Sequence, residues 1–450
     1  MSRAQTRTGL LAICAAAALA RLWLGAHVVD DAYITFRYAE RIAAGLGFTY
    51  NDTQHVLGTT TPLLTLLLAL AAVVRVAPAP AALAISLASD VCSIVLGAAM
   101  LQRAGWPRAA WLFGVLVAGR PMFLAYSVSG LETSLYVMLL LAALSLLDGD
   151  RPVRLGLALA ALVLCRLDGV IMTAICAFTI RRRPTAWRTY LVAAAAISPW
   201  ILFSLWYFHS IVPASVQAKA HIRSSLGTAG RVFGQVFLAG AYLPLSALSL
   251  AGMMAIASRG SQALRTGLLW WWAYASVFLV AGAFGPFPWY FVPLLPLYFM
   301  GIAIAVENGL MRVVAPPLRR AAFVSVVSVA VAVLAWRVSR HRATIEAWGE
   351  REQAYRYVAE HILDRPDCGV AATEIGTIGY FYRGRILDLV GLVSPESVGR
   401  SITASIDAAE PCWIVSYSDQ LGDARIPARY EVRYHRAFNA SRTLLAFERR

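Results

Sequence analysis

The chain has 450 residues, of which 59% are hydrophobic and only 14% are charged. This composition excludes a soluble globular protein of this size. The long uninterrupted apolar runs predict an α-helical polytopic membrane protein rather than a β-barrel. The formal net charge of +15 does not indicate a nucleic-acid partner, because the cytoplasmic loops of membrane proteins collect basic residues. Membrane lipids are the partners that such a chain implies.

The first apolar run, residues 8–29, follows a basic N-terminus and predicts a span that begins in the cytoplasm. A cleaved secretory signal ending at Ala18-Leu19-Ala20 is the alternative. We favour a retained span because the apolar run continues to Val29. It then delivers the adjacent carboxylates of Asp30 and Asp31 to the outer surface of the membrane.

About eleven spans follow from the hydropathy pattern, with the C-terminus outside. Residues 61–76 leave two topologies open, since they either cross the bilayer or only dip into its outer leaflet. We favour the second, because it places Arg103 and Arg108 in the cytoplasm and Glu132 on the outer side.

Residues 155–180 form one apolar run that is interrupted at its middle by Arg166 and Asp168. A charged pair at mid-bilayer costs several kcal/mol, roughly 2.5 to 3.5 for each charge on insertion scales. The sequence therefore predicts two half-length helices that meet at an externally accessible break, an arrangement that is tolerated where it lines a cavity. A structural ion pair is the alternative interpretation.

The composition becomes that of a soluble domain after residue 338, which divides the chain into a membrane part, 1–338, and a small extracytoplasmic α/β domain, 339–450. We expect a polar helix first and then strands near 369–373, 386–390, 413–417, 430–437 and 442–448. Cys368 and Cys412 each precede a strand directly. If those strands are neighbours, the two sulfurs can form a disulfide in an oxidising compartment.

Charged residues are predicted to collect on the outer side, and they define the candidate site. A carboxylate can take a proton from an acceptor hydroxyl, while basic groups hold a phosphate as it leaves. Some of these residues have plainer alternatives, since Asp31 and Glu132 can each cap a helix and Lys219, the single lysine, can be a solvated loop residue. The carboxylate pair could also hold a divalent metal such as Mg, Mn or Ca, although no such cofactor is certain. The candidates are Asp30, Asp31, Arg37, Glu132, Arg166, Asp168, Lys219 and His221.

Five stretches resemble membrane glycosyltransferases of the GT-C superfamily, in order along most of the chain. They are DDAYITFRYAERIAAGLGFTY (30–50), SGLET (129–133), CRLDG (165–169), VPASVQAK (212–219) and EIGTIGYFYRGRILDLVGLVSPE (374–396). The chain looks most like bacterial enzymes that use polyprenyl-phosphate sugars, such as arabinofuranosyl, aminoarabinose and mannosyl transferases. One departure is that Pro213 is followed by Ala214 and Ser215, whereas relatives often have Asn after this proline.

The resemblance implies that Asp30 is the catalytic base, with Asp31 in reserve, and that Arg166 and Lys219 bind the carrier phosphate. Arg37, Glu132, Asp168 and His221 would complete the substrate pocket. The expected activity is inverting transfer of a sugar to an envelope glycan, lipid or protein acceptor, outside a bacterial plasma membrane. A non-catalytic protein that binds or translocates a polyprenyl lipid is the alternative. The acidic pair disfavours it, since a binder of anionic lipid gains nothing from two carboxylates.

Overall fold

The computed structural model describes residues 3–221, 226–240, 242–280, 287–365, 367–422, 424–439 and 442–450. Helices dominate the membrane part. In chain order they are α1 (Arg3–Leu24), α2 (Asp30–Ala43), α3 (Pro62–Val73), α4 (Pro78–Arg103), α5 (Ala109–Gly119), α6 (Pro121–Ser127), α7 (Thr133–Leu146), α8 (Pro152–Cys165), α9 (Gly169–Ile180), α10 (Ala186–Tyr207), α11 (Ala214–His221), α12 (Leu226–Phe237), α13 (Tyr242–Arg259), α14 (Gln262–Val280), α15 (Leu295–Val313) and α16 (Arg319–His361).

The apolar helices make this a multi-pass membrane protein. Within the described ranges, four helices are long and apolar enough to cross a bilayer, and two bent pairs would raise the number to six. Five shorter apolar helices of 10–17 residues accompany them. The count of about eleven spans stays a prediction.

Loop contacts identify the two ends of the helix bundle. At one end, the amide of Ala109 donates to Glu307 Oε2 at 2.8 Å, and the amide of Ala263 donates to Asp148 Oδ1 at 2.9 Å. The opposite end carries α2 and the C-terminal domain, which is packed against α2. We call these the basic end, after the arginines of its loops, and the site end.

Helix α3 stays at the site end. Thr61, just before α3, lines a cavity together with Asp31 near the start of α2. Val76, just after α3, lines a second cavity together with Arg41 near the end of α2. The two helices therefore run side by side, and α4 starts from the end where α2 lies, as the favoured topology predicts.

Two spans are tied together by a buried ion pair. Arg21 Nε lies 2.5 Å from Asp90 Oδ2, and both side chains are fully buried. Ser127 Oγ also donates to this carboxylate and receives a bond from Arg21 Nε at 3.1 Å. A charge at this depth is stable only with such partners, so the pair fixes α1 against α4.

The C-terminal domain is a five-stranded mixed sheet with three short α-helices around it. The strands are β1 (Val370–Ala372), β2 (Ile386–Asp388), β3 (Trp413–Tyr417), β4 (Tyr430–Asn439) and β5 (Arg442–Arg449), in the order β2-β1-β3-β5-β4. The helices that come after α16 are α17 (Gly376–Tyr382), α18 (Ile402–Ala409) and α19 (Ser418–Leu421). β1 is parallel to β2 and β3, whereas β5 is antiparallel to β3 and β4.

The junction between the two parts differs from the prediction. The sequence predicts a span at 321–337 and a separate polar helix from 342, but α16 is one continuous helix of 43 residues that passes through the predicted boundary. No proline or glycine interrupts residues 319–348, so nothing breaks the helix there. Beyond it, β1 and β3 are neighbours, and Cys368 and Cys412 form a disulfide with their Cα atoms 5.7 Å apart.

Candidate active site

The two adjacent aspartates, Asp30 and Asp31, are the first two residues of α2, and their side chains point to different surroundings. Asp30 is the first residue of the helix and is 5% exposed, whereas Asp31 is half-buried. Successive residues of an α-helix point about 100° apart. Asp31 therefore shares a face with Ile34 and Thr35, while Asp30 faces the C-terminal domain.

Asp30 holds the C-terminal domain against α2. Its two carboxylate oxygens accept hydrogen bonds from the backbone amides of Gly376, at 2.9 Å, and Thr377, at 2.7 Å. These amides are unpaired donors in the first turn of α17, where a carboxylate is also favoured by the helix dipole. A Cβ atom on Gly376 would lie 1.7 Å from the backbone oxygen of Asp30, so this contact requires a glycine.

Arg37, two turns further along α2, also contacts the C-terminal domain. We call the face of α2 that carries Asp30 and Arg37 the docking surface. Its Nε donates to the carbonyl of Tyr50 at 2.8 Å and its Nη2 to the carbonyl of Gly384 at 2.8 Å. Its Nη1 donates to the carbonyl of Gly379 in α17. The guanidinium is thus occupied by three backbone carbonyls. Arg37 does not line the cavity of Asp31, because these bonds direct the side chain toward the C-terminal domain, and its predicted place in a substrate pocket stays a prediction.

Asp31 lines a small cavity of about 60 Å³ at the site end. The cavity walls come from the start of α2, the segment before α3, the start of α7 and the start of α11. Apart from Asp31, the lining residues are Ile34, Thr35, Gly58, Thr59, Thr60, Thr61, Leu131, Glu132, Ser215, Trp289, Tyr290 and Leu392.

Glu132 reaches this cavity because the loop before α7 packs closely on α2. The amide of His27 donates to the carbonyl of Val128 at 2.9 Å, and the amide of Val29 donates to the carbonyl of Ser129 at 3.0 Å. Gly130 has a φ of 82°, a left-handed conformation that glycine adopts without strain. Glu132 occupies the N-cap position of α7 without a side-chain capping bond, so it is not the cap that the alternative interpretation predicts.

Arg166 lies in the predicted break between α8 and α9, but its side chain is not externally accessible. The side chain is 3% exposed and does not line the cavity. Its Nη2 is 2.6 Å from Asp168 Oδ2 and 3.2 Å from the hydroxyl of Tyr274, and its Nε is 3.8 Å from Glu132 Oε1. Arg166 and Asp168 therefore form a buried ion network behind Glu132, rather than an open phosphate site.

Two buried hydroxyls of the cavity have no hydrogen-bond partner among the described residues. They are Thr61 Oγ1 and Ser215 Oγ, on residues that are 3% and 4% exposed. A buried hydroxyl without a partner costs free energy, which a ligand oxygen in the cavity would recover. Ser215 stands in the motif where the sequence departs from the GT-C pattern, and its contribution was not predicted.

Lys219 and His221 belong to α11, the helix that starts beside Ser215. Their side chains lie outside the described part of the structure. The backbone places Lys219 one helical turn after Ser215. Lys219 therefore stays a candidate phosphate ligand by its position.

The aspartate pair does not fit the predicted divalent metal site. Both oxygens of Asp30 already accept backbone amides, and Asp31 faces the other side of α2. Within the described ranges, no three His, Cys, Asp or Glu residues converge as a metal site would require. We therefore derive no catalytic step through a metal.

Several aromatic residues of the site were not predicted from the sequence. Tyr274 donates to Asp168 Oδ2 at 2.9 Å, and the rings of Tyr136 and Tyr290 each lie 4.9 Å from the Arg166 guanidinium. Trp289 and Tyr290 read as ordinary interfacial aromatics in the sequence. The chain neighbours of Tyr290 give no signal that its ring meets Arg166, which is more than 100 positions away.

The chain has the GT-C fold, because solved structures of three GT-C glycosyltransferases match it. ArnT from Cupriavidus metallidurans, bound to undecaprenyl phosphate, superposes with a TM-score of 0.65 at 14% identity, covering 99% of this chain and 98% of ArnT. The Archaeoglobus fulgidus oligosaccharyltransferase gives 0.60 at 14% identity, covering 91% of this chain and 69% of the other. The mycobacterial arabinofuranosyltransferase AftD gives 0.51 at 14% identity, covering 100% and 42%.

Sequence comparison adds one match, in the C-terminal part. Residues 340–447 match a family described as "Domain of unknown function (DUF8728)". No curated protein matches the chain by sequence. The matched residues start one position after the predicted domain boundary, within α16.

Proposed function

We propose that the protein transfers a sugar from a polyprenyl-phosphate carrier to an acceptor hydroxyl in the cavity of Asp31. The observation that carries this proposal is the convergence of Asp31 and Glu132, 101 positions apart, on one cavity that also contains two unbonded hydroxyls. The GT-C fold supports it, and so does the lipid bound to ArnT, since undecaprenyl phosphate is a polyprenyl carrier.

Asp31 is the general base of the proposed reaction. Its carboxylate takes the proton of the acceptor hydroxyl while the hydroxyl oxygen forms a bond to the anomeric carbon. The bond between that carbon and the phosphate oxygen breaks, and the polyprenyl phosphate leaves with the electron pair. Attack opposite the leaving group gives an inverted product. Asp30, the base that the resemblance implied, is replaced in this role because its oxygens are occupied by α17.

Glu132 is the second carboxylate, and Arg166 positions it. With its Nε 3.8 Å from Glu132 Oε1, Arg166 neutralises part of the charge and fixes the side chain at the cavity wall. Arg166 thus acts through Glu132 rather than on the donor. For the phosphate we propose Ser215 and Lys219 at α11, since Ser215 lines the cavity and lysine is a common phosphate ligand.

The charge distribution supports an extracytoplasmic site. The loops of the basic end carry Arg103, Arg108, Arg259 and a run at 181–183. The positive-inside tendency places that end in the cytoplasm, and the site end with the C-terminal domain outside. The setting we propose is a bacterial plasma membrane, and the acceptor is an envelope glycan, lipid or protein.

The alternative is a protein that binds or translocates a polyprenyl lipid without chemistry. Such a protein has no use for a carboxylate base in the cavity, so Asp31 discriminates between the two functions. The test uses a deletion strain of the source organism, complemented with the wild type, with Asp31→Asn or with Glu396→Gln. The readout is mass spectrometry of lipid-linked sugars and envelope glycans.

We expect lipid-linked sugar to accumulate, and a glycan to lose a sugar, in the deletion strain and with Asp31→Asn. Glu396 is an exposed carboxylate of the C-terminal domain, so Glu396→Gln should restore the wild-type pattern. Full restoration by Asp31→Asn at equal protein level would refute the transferase proposal and leave the lipid-binding alternative.

A further inference from the structure

A second and larger cavity lies near the other end of α2. Its volume is about 750 Å³, within the range of small-molecule and lipid head-group sites. It lies between the end of α2, the turn from α3 to α4, and α17 of the C-terminal domain. Its charged lining residues are Arg37, Arg41, Arg75 and Arg383, opposed by Glu40 and Asp52.

Most of these charged groups already have partners. Arg37 is bonded to three carbonyls, Arg41 is paired with Asp52 and bonded to Thr49, and Glu40 accepts the hydroxyl of Tyr380 at 2.5 Å. The side chains of Arg75 and Arg383 are exposed and have no hydrogen bond or ion pair among the described residues. The cavity thus has two free guanidinium groups and an excess of positive charge.

The backbone at both free arginines is unusual. Arg75 follows α3 with a φ of 63°, and Arg383 follows α17 with a φ of 64°. Helices commonly end with a glycine in this left-handed conformation, because a side chain there is strained. Both helix ends instead carry an arginine, and both side chains line the same cavity. Strain of this kind is a reason to look for a function.

The surroundings of Arg75 indicate a lipid rather than a soluble anion. Its neighbours Val73, Val74 and Val76 are 62%, 67% and 42% exposed. Leu70, one turn earlier, is 64% exposed. Exposed aliphatic side chains at the site end of a membrane protein face acyl chains, and an arginine among them lies at the level of the head groups.

We propose that the cavity between α2, the α3–α4 turn and α17 binds the phosphate of an anionic membrane lipid through Arg75 and Arg383. Two guanidinium groups can each contact two phosphate oxygens, while the valines contact the first carbons of the acyl chains. The site is separate from the cavity of Asp31. On α2 the cavity of Asp31 is lined within residues 31–35 and the second cavity within residues 37–43, so their centres lie roughly 11 Å apart along the helix axis.

The decisive variant replaces both arginines with glycine. Arg75→Gly/Arg383→Gly removes the guanidinium groups and provides the residue that the left-handed backbone prefers, so thermal stability should be kept or raised. The control, Arg385→Ala/Arg400→Ala, removes the same charge from exposed arginines of the C-terminal domain that do not line the cavity. Asp31→Asn serves as a second control, because lipid binding here does not depend on transfer.

The full chain in dodecyl maltoside micelles is titrated with dihexanoyl phosphatidylglycerol, dihexanoyl phosphatidylcholine or inorganic phosphate, and bound species are counted by native mass spectrometry. We expect phosphatidylglycerol to bind more tightly than the other two. The glycine variant should weaken its binding by about tenfold or more. Both controls should bind like the wild type.

Three results would overturn the inference. The first is phosphatidylglycerol binding that survives in the glycine variant. The second is inorganic phosphate that binds as tightly as the lipid and is lost in the same variant, since the ligand is then a soluble anion. The third is a marked fall in thermal stability in that variant, since the arginines would then serve the fold.

Discussion

The two faces of α2 differ in partner, exposure and task, although they begin with identical residues. Asp31 lines a small cavity together with Glu132, whereas Asp30 is buried and accepts bonds from the amides of α17. Arg37 continues the second face and is likewise bonded to the C-terminal domain. One helix thus carries a candidate base on one side and a docking surface on the other.

Two adjacent acidic residues in a helix therefore need not act as one functional unit, because their side chains point to different surroundings. Asp30 is badly placed to act as a base, because it is buried, both of its oxygens accept fixed amides, and it does not line the cavity. A carboxylate at a cavity wall can accept a proton from a bound hydroxyl. Removing the two aspartates separately should therefore give two different defects.

The largest effect is expected from Asp31→Asn in the purified protein. Loss of a positioned general base typically lowers the rate by about a hundred- to ten-thousandfold. The measurement is release of polyprenyl phosphate from lipid-linked sugar donors under single-turnover conditions. Thermal unfolding should stay closer to the wild type than for a change at Asp30, because Asp31 lines the cavity and is only half-buried. A rate within tenfold of the wild type would remove Asp31 from the mechanism.

Asp30→Ala should instead weaken the attachment of the C-terminal domain. It leaves the buried amides of Gly376 and Thr377 without an acceptor, a loss of about 2–5 kcal/mol in the free energy of unfolding. Thermal unfolding and limited proteolysis after α16 report this loss. Asp52→Ala is the matched control, since the Asp52 side chain is 83% exposed and its ion pair with Arg41 contributes little. Equal stability of the two variants would contradict the docking role.

A pH-dependent test comes from Glu374, which lies just before α17. Burial raises the pKa of its carboxyl from 4.5 to about 7, although Arg351 lies 3.2 Å away and Gln420 donates to it at 2.7 Å. Because the folded-state pKa is raised, the protonated group favours the folded state fully below about pH 4.5. This contribution is lost as the pH rises through 7. At about 1.4 kcal/mol per pKa unit, it amounts to at most about 3.5 kcal/mol.

Glu374→Gln should therefore lack this part of the pH dependence. The measurement is the difference in melting temperature between the variant and the wild type from pH 4.5 to 8. The variant should gain relative stability as the pH rises, and Glu396→Gln should show no such trend. A difference that stays constant with pH would mean that Glu374 remains ionised in the folded protein. Asp388, whose pKa burial raises to about 6, contributes equally to both proteins and cancels in the comparison.

Much of the fold is predictable because each part follows from a local pattern. The hydropathy pattern predicts the helices, and the Arg166–Asp168 pair predicts the break between α8 and α9. Short apolar runs predict the strands of the C-terminal domain. The position of Cys368 and Cys412 before parallel neighbours follows from the same strands. The continuity of α16 was not predicted, because the change from apolar to polar residues near position 338 suggested that one helix ends there and another begins.

The site is less predictable, because its contacts join distant residues. The sequence predicts Asp30 and Asp31 as candidates without distinguishing them. The bonds that Asp30 accepts come from the N-terminus of α17, about 346 positions away. Similarly, the apolar half-helices around Arg166 suggest an exposed break. Tyr274, Tyr136 and Tyr290 instead close over it, and aromatic residues in membrane helices carry no local signal of such a role.

The smallest effect is expected from the unbonded hydroxyls in the cavity of Asp31. Thr61 Oγ1 and Ser215 Oγ have no partner among the described residues, so removing them sacrifices no bond within the fold. Thr61→Val and Ser215→Ala should therefore keep or slightly raise the melting temperature. Each lost bond to a substrate oxygen is worth about 0.5–1.5 kcal/mol, or roughly a two- to twelvefold rise in the KM for the donor or acceptor. Steady-state titration of both substrates assigns each hydroxyl to one of them.

Ser215→Thr, which keeps the hydroxyl, is the matched control for Ser215→Ala. Unchanged KM values in both variants, with wild-type stability, would place the substrates away from α11 and remove Lys219 from the proposed phosphate site as well.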